Sequence, residues 1–395
     1  MMLDKLQTEA DEVHHDANDS TVALAKLVTE IGPDIAEISR RLGQFKESVR
    51  YRYKEKIVRR GFAIKADLDY GALGLQRVVM KLRVAAAHGQ HAHEIFEAMS
   101  EACYLVAYAG TMPDQLYIVH AGVPTEFTNE FRHIMAKLEE KGIFSSVELF
   151  VCGSFRVAPM RAECFNFDEG VWDFDWSNPP PVDDDAARGT VSEKKRIDKV
   201  DLLLLKELWR DGDRSLREIH AAIEKANGID INYKTLGWHY TNHVVARHLI
   251  KDYSIAWHRF TYSLSLDKVE RIGKHSYLGV SLIVKETNEQ ETMMLRSSLN
   301  RLPFLWSEGA GDAYYSQLFF PLDTVNAGLE YLTTLLKPYG ERAKIFLLDQ
   351  REMQSFTIAY KLWDESKERW TFDDAATLAR LESVAFGIGK RTAYP

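Results

Sequence analysis

The sequence predicts an α+β protein in which one module occurs twice. Near the N-terminus, three segments with helical periodicity precede a set of strand and helix patterns in the order βαββαβ. The same succession of elements returns after roughly two hundred residues, following a stretch rich in proline and acidic residues. A repeat of this length indicates duplication of a whole module, because solenoid repeats are far shorter.

The first helical unit is predicted at residues 19–70. Its first helix ends at Gly32-Pro33, since both residues break helices. Asp34 and Glu37 have the capping-box spacing that begins a second helix, and a third helix starts at Phe45. A tight turn before the third helix and a strand pattern after it are typical of a winged helix-turn-helix, in which that strand supplies the wing.

A ferredoxin-like βαββαβ domain with an aromatic extension is predicted at residues 73–176. Residues 177–195 then form a linker, because Asn178-Pro-Pro-Pro181 is stiff and the following acidic run cannot build a core. The second winged helix-turn-helix is predicted at residues 196–262, where a third helix spans 232–248. The second ferredoxin-like domain, also with an aromatic extension, occupies residues 275–375.

The third helix of the first unit is predicted to be strongly positively charged. The chain carries a formal net charge of −8, yet residues 45–62 form a cationic island. Its basic residues are Lys46, Arg50, Arg52, Lys54, Lys56, Arg59 and Arg60. A local cationic surface on an acidic protein favours a polyanionic partner, although a solvated amphipathic helix has the same composition.

Double-stranded DNA is the partner that this pattern predicts. Four cations of the island are expected to contact phosphates, which position a protein without reading sequence: Lys46, Arg52, Lys54 and Arg59. Arg50 and Ser48 are expected at base edges, because arginine can bond bidentately to guanine. The comparable face of the second copy contains Lys234, Thr235, Trp238 and Asn242. Packing of Trp238 between helices is the alternative there.

Bulk composition narrows the class of protein. The chain has 46% hydrophobic and 27% charged residues, as ordinary soluble proteins do. No apolar run is long enough to cross a bilayer and no secretory signal pattern is present, so a cytoplasmic protein without a membrane partner is expected. The three cysteines lack metal-binding spacing and are expected as reduced, mostly buried thiols.

The pairing of a winged helix with a βαββαβ domain resembles the leucine-responsive and asparagine regulator (Lrp/AsnC) family of transcription regulators. That family has a Gly-x-x-Asp turn between the second and third sheet strands. Gly309-Ala-Gly-Asp312 fits this turn, and Gly110-Thr-Met-Pro-Asp114 is one residue longer. The resemblance implies that Gly110, Asp114, Gly309 and Asp312 lie near a small-molecule effector, such as an amino acid. A plain hairpin turn accounts for the same residues.

The family works as a dimer, so the resemblance implies a DNA-binding transcription regulator that forms a pseudo-dimer within one chain, open to further homo-oligomers. No phosphate-binding loop, His-Glu-x-x-His or Gly-x-Ser-x-Gly pattern occurs. The sequence therefore predicts no enzyme, no catalytic residues, no cofactor and no metal; the His88, His91 and His93 group fits a solvated loop.

Two alternative functions stay open. One is a tetrapyrrole decarboxylase on the same scaffold, as in a subgroup that resembles this family; the other is a scaffold that does not bind DNA.

Overall fold

The computed structural model describes residues 19–112, 116–180, 192–257 and 277–387. It is a mixed α/β protein organised around a closed barrel of eight strands, with helices packed outside the barrel and two helical units attached to it. The predicted α+β class is confirmed at this level.

The first helical unit contains three helices and a strand: α1 (residues 19–31), α2 (Ile35–Leu42), α3 (Lys46–Arg52) and β1 (Ala63–Leu68). Asp34 begins α2, because its Oδ1 accepts hydrogen bonds from the backbone N–H groups of Ala36 at 3.0 Å and Glu37 at 3.1 Å. Gly43 ends α2 in the left-handed region, with φ 63°.

The second helical unit repeats this order with α6 (Lys199–Arg210), α7 (Leu216–Asn227), α8 (Tyr233–His239) and β8 (Ile250–Ala256). In both units the third helix loosens into a π-helical turn, at Tyr53–Ile57 and Tyr240–Val245. The third helix predicted at 232–248 is therefore α-helical only in its first half.

Strands β1 and β8 pair with each other across the two units. Their antiparallel ladder runs from Ala63 opposite Ala256 to Leu68 opposite Ile250. The predicted wing strand therefore does not stand apart as a wing of its own unit, because its backbone groups bond to the other copy. This ladder ties the two helical units together.

The barrel is divided between the two modules. The first module supplies β2 (Leu75–Val84), α4 (Ala92–Ala102), β3 (Leu105–Met112), β4 (Leu116–Pro124), α5 (Thr128–Glu140) and β5 (Phe144–Val157). The second supplies β9 (Tyr277–Lys285), α9 (Glu289–Asn300), β10 (Leu305–Gly311), β11 (Ala313–Pro321), α10 (Val325–Leu336) and β12 (Ala343–Ser355).

Each module forms a four-stranded sheet, ordered β5-β2-β4-β3 in the first and β12-β9-β11-β10 in the second. Two antiparallel seams, β3 with β12 and β5 with β10, close the barrel. The last strand of the second module, β12, begins at Ala343. It reaches Ser355, because it continues along β3 past an irregularity between Asp349 and Met353.

Successive side chains of β2 point to opposite faces of the sheet and belong to two different apolar clusters. Val78, Met80 and Leu82 belong to the core beneath the helices, whereas Val79 belongs to a smaller cluster formed by both modules inside the barrel. The aromatic extensions carry β6 (Phe165–Asn166), β7 (Val171–Trp172), β13 (Trp363–Asp364) and β14 (Arg369–Trp370), and α11 (Asp374–Ala385) follows. Trp370 is fully buried, and its Nε1 donates to the Leu73 carbonyl at 2.8 Å.

Candidate functional site

A cavity of about 330 Å³ lies where β1, the segment between β1 and β2, and the end of β5 meet. Its lining includes Asp67, Tyr70, Arg77, Phe155, Lys194 and Lys251. Two aromatic rings and three cations therefore converge on one space. Such a combination suits a flat molecule that carries negative charge.

Arg77 is held between two aromatic rings. Its guanidinium carbon lies 3.7 Å from the ring centre of Tyr70 and 4.9 Å from that of Phe155. Arg77 Nε is buried and has no hydrogen-bond partner among the described residues. An unpaired buried donor on a fixed cation is costly unless a ligand accepts from it, so this group points to an anion site.

Glycine at position 122 makes this stack possible. Gly122 lies opposite Arg77 in the β2–β4 ladder. A Cβ at this position would lie 2.4 Å from Cε1 of Tyr70, which real contacts do not allow. The absence of a side chain therefore lets the Tyr70 ring lie against β4 and cover Arg77.

The Asp67 carboxyl group lines the cavity and has an unusual pKa. Removal from water raises its pKa to about 7, although Arg77 and Lys251 act in the opposite direction. Its carboxylate also accepts a hydrogen bond from the backbone N–H of Val157. A carboxyl group with a pKa near neutrality can give up or take a proton at physiological pH.

Two other reactive side chains near the cavity stay neutral. Burial, followed by the charge of Arg77, lowers the pKa of His120 to about 3, and its Nε2 lies 2.9 Å from the Tyr315 hydroxyl. Burial raises the pKa of Cys152 to about 12. Neither group changes its charge near pH 7, so Asp67 is the better candidate for proton transfer.

All ten residues predicted to contact DNA are accessible, on two separate helices. In α3 and the turn after it, Lys46, Ser48, Lys54 and Arg59 are exposed and Arg50 and Arg52 are partly buried. The exposed residues of the second surface are Lys234, Thr235, Trp238 and Asn242. Each predicted set thus lies on one helix and the turns after it, and its role in DNA binding stays a prediction.

Much of the positive charge of the island is already paired. Arg50 bonds to Glu47 at 2.7 Å, Arg59 forms an ion pair with Glu55 at 2.5 Å, and Arg52 donates to the Gln44 side chain at 2.7 Å. Two further basic side chains, Lys56 and Arg60, contact Asp168 of the aromatic extension. The cationic island therefore also holds the extension in place.

Trp238 does not pack between helices. It is 54% exposed, and its ring centre lies 4.7 Å from that of His243. The Asn242 side chain donates to the Trp238 carbonyl at 3.0 Å. The alternative given for Trp238 from sequence is therefore wrong.

The predicted effector residues lie along the seams of the barrel. Gly110 is within β3 and Gly309 within β10, opposite Phe155 of the cavity. Asp312 Oδ2 accepts from Arg132 Nη2 at 2.8 Å and from the backbone N–H of Val151 at 3.1 Å. Asp114 lies outside the described residues. Their role in effector binding stays a prediction.

No family model and no curated protein matches this chain. Among solved structures, the siroheme decarboxylase NirDL is similar over 92% of this chain and 99% of its own, with a TM-score of 0.50 and 11% sequence identity. This chain shares its fold with that decarboxylase. Two AsnC-type regulators match far less: the Pyrococcus furiosus protein PF0864 at TM-score 0.25 and 16% identity, and E. coli AsnC at 0.25 and 14%.

The P. furiosus regulator covers 34% of this chain and 87% of its own length, and E. coli AsnC covers 33% and 88%. The fold shared over almost the whole chain is thus that of NirDL. The expectation that this chain is not an enzyme is contradicted by this similarity, because NirDL is an enzyme. No helix among the described residues is long and apolar enough to cross a membrane.

The cavity residues were not singled out from sequence. A signal was present, since β2 has basic side chains at alternate positions, at Arg77, Lys81 and Arg83, on a strand whose other face is apolar. A basic face on a strand inside a closed barrel needs anionic partners. Lys81 finds one in Glu148 of β5, whereas Arg77 faces the cavity.

Proposed function

We propose that this chain binds a carboxylate-bearing tetrapyrrole at the Arg77 cavity and removes a carboxylate from it as CO₂. The observation that carries this proposal is the half-buried Arg77, held between two rings with a buried Nε that has no hydrogen-bond partner among the described residues. The fold shared with the siroheme decarboxylase NirDL suggests the substrate class. A NirDL structure with an iron-uroporphyrin III analogue suggests a probe.

The charges of the cavity match such a substrate. Arg77 offers its unpaired Nε donor to a carboxylate, and Lys194 and Lys251 add two exposed cations to the cavity lining. A volume of about 330 Å³ suits the carboxylate-bearing edge of a macrocycle. The rings of Tyr70 and Phe155 supply flat apolar surface beside the cations.

Asp67 supplies the proton that the reaction requires. When the bond between carbon and carboxylate breaks, CO₂ leaves and the bonding electron pair stays on the carbon. That carbon then takes up one proton, so a neutral Asp67 carboxyl becomes a carboxylate. Its raised pKa of about 7 keeps enough of the acid form at neutral pH. Water restores the proton afterwards.

Iron-uroporphyrin III tests the binding step, because its absorbance changes when it enters a protein site. We expect saturable binding to the full chain. Arg77→Gln should weaken it about 10- to 100-fold, as the loss of one charge-assisted hydrogen bond of about 1.5–3 kcal/mol implies. Arg83→Gln is the matched control, since Arg83 is on the same strand but does not line the cavity. Equal affinity of wild type and Arg77→Gln would contradict the proposal.

The reaction itself is tested with siroheme under reducing and oxidising conditions, with products followed by mass spectrometry. We expect masses lower by whole CO₂ units, and we expect Asp67→Asn to retain binding but lose turnover. If Asp67→Asn decarboxylates at the wild-type rate, Asp67 is not the proton donor.

A second candidate function is sequence-specific DNA binding by two winged helix-turn-helix units. The accessibility of all ten predicted contact residues on α3, α8 and their following turns favours it. Fluorescence anisotropy with random duplex DNA at low salt is the measurement. A regulator should bind, lose affinity steeply with added salt, and weaken when Arg50 and Arg52 are both replaced by alanine. No duplex binding at low salt would exclude this second function.

A further inference from the structure

A group of two histidines and two aspartates, three of them buried and Asp198 half-buried, lies inside the second helical unit, apart from the Arg77 cavity. His239 ends α8 and His243 lies one turn later, so both rings face the same side of the helix. Asp201 is in the first turn of α6 and Asp198 caps that helix. One ligand-type atom from each of the four lies within 4.8 Å of the others.

The spacing of these atoms fits a tetrahedral metal centre. Nδ1 of His239 and Nδ1 of His243 lie 2.9 and 3.0 Å from Asp201 Oδ1, and 3.5 and 3.8 Å from Asp198 Oδ2. In a tetrahedral zinc site with bonds of about 2.0–2.1 Å, neighbouring ligand atoms lie roughly 3.3–3.5 Å apart. The four distances bracket this value, so only small side-chain shifts are needed to take up an ion.

The backbone already uses the other carboxylate oxygens. Asp198 Oδ1 accepts from the N–H groups of Val200 at 2.9 Å and Asp201 at 3.1 Å. Asp201 Oδ2 accepts from the N–H of Asp198 at 3.1 Å. This reciprocal capping fixes both carboxylates beside the imidazoles, and His243 Nδ1 lies 3.0 Å from each oxygen of Asp201. Ligands are held in this way before an ion binds.

Charge and burial favour a cation over an empty hydrogen-bond network. Asp201 is completely buried, and His239 and His243 are 9% and 8% exposed. Among the ion pairs of the described residues, Asp198 and Asp201 contact these two histidines, and the charge of the exposed Arg196 also acts on Asp198. One buried and one half-buried carboxylate lie against these two rings, and a divalent cation bound between them would offset the carboxylate charge.

We propose that Asp198, Asp201, His239 and His243 bind one Zn²⁺ ion, which cross-links the first and third helices of the second helical unit. Two imidazole nitrogens and two carboxylate oxygens are ligands that zinc takes, and a set of four protein ligands is typical of a structural site. The Trp238 ring lies against both imidazoles, with ring centres 5.2 Å and 4.7 Å away, and covers them on the solvent side.

The test is a zinc titration of the full chain after removal of bound metal with a chelator. Competition with a chromophoric zinc indicator gives affinity and stoichiometry, and elemental analysis after desalting checks the latter. We expect one Zn²⁺ per chain. Co²⁺ in place of zinc should give the strong visible absorption of tetrahedral cobalt. The melting temperature should rise with zinc concentration, because an ion that binds only the folded chain stabilises it.

Two variants and one control locate the site. Asp198→Asn keeps the helix cap, because asparagine caps as well as aspartate, but it removes an anionic ligand. His243→Gln removes an imidazole. We expect each to lower zinc affinity at least about tenfold. His220→Gln is the control, since His220 is in the same unit and bonds to the Ile231 carbonyl rather than to the cluster.

Zinc binding that is unchanged in both Asp198→Asn and His243→Gln would place the ion elsewhere and overturn the proposal. Wild-type chain that takes up no zinc would do the same, and the four side chains would then form a hydrogen-bond network alone. The Arg77→Gln variant should bind zinc normally, so this result is independent of tetrapyrrole binding.

Discussion

Replacement of Asp67 by asparagine should stabilise the chain at alkaline pH but not at acidic pH. The folded state raises the pKa of Asp67 from 3.8 to about 7. Below about pH 4 the Asp67 carboxyl is protonated in both the folded and the unfolded state, so it does not change the free energy of unfolding. As pH rises from about 4 to 7, the unfolded chain loses the proton first, so stability falls; above pH 7 the penalty is constant.

A pKa difference of about three units corresponds to roughly 4 kcal/mol, at about 1.36 kcal/mol per unit. Asp67 is only partly buried, so solvent screening reduces this value, and we expect about 2 kcal/mol. Asparagine stays neutral at every pH. Asp67→Asn should therefore melt a few degrees above wild type at pH 8 and close to wild type at pH 4.5, as followed by circular dichroism.

Asp349→Asn is the control with the opposite sign. Hydrogen bonds from Arg351 lower the pKa of Asp349, so its replacement should give no gain at pH 8. A melting difference between Asp67→Asn and wild type that is the same at both pH values would refute the reasoning. Asp67 would then ionise normally, and its assignment as proton donor would fall with it.

Three further results are expected. Gly122→Ala should cost about 1–3 kcal/mol in unfolding free energy and weaken iron-uroporphyrin binding, because the new methyl displaces Tyr70; unchanged binding would contradict the stack. Glu308→Gln should cost about 3–5 kcal/mol by denaturant titration, since it removes the fully buried carboxylate that lies 2.6 Å from Arg156 Nε, and a loss below about 1 kcal/mol would refute this. His120→Gln should flatten the loss of stability between about pH 6.5 and 3, because burial lowers the His120 pKa to about 3 and folding there excludes a proton; equal slopes of melting temperature would disprove it.

The order of elements could be predicted from sequence because periodicity and breakers are local signals. Gly32-Pro33 and Asp34 place helix ends through backbone geometry alone, and the structure has α2 begin after Asp34. The ends of the strands were harder to predict from sequence. The extension of β12 to Ser355 depends on its pairing with β3 of the other module, which no local pattern encodes.

The candidate sites depend on contacts distant in sequence. Arg77 becomes notable only when Tyr70 and Phe155 enclose it, and Phe155 reaches it through the pairing of β5 with β2. His239 and His243 show helical spacing in sequence, but their carboxylate partners come from a helix some forty residues earlier. The basic residues of α3 and the turns after it were visible from sequence, whereas the contacts of Lys56 and Arg60 with Asp168 were not.

The closed barrel limits how this chain can meet copies of itself. Every strand of the barrel has hydrogen-bonded neighbours on both sides, so the barrel offers no open edge onto which another strand could be added. The ladder of β1 and β8 is different, because it has only two strands and each keeps one outer edge. Among the described residues, open strand edges therefore belong to that ladder and to the short ribbons β6–β7 and β13–β14. A mutation that opens a barrel seam would expose a further edge capable of pairing between molecules.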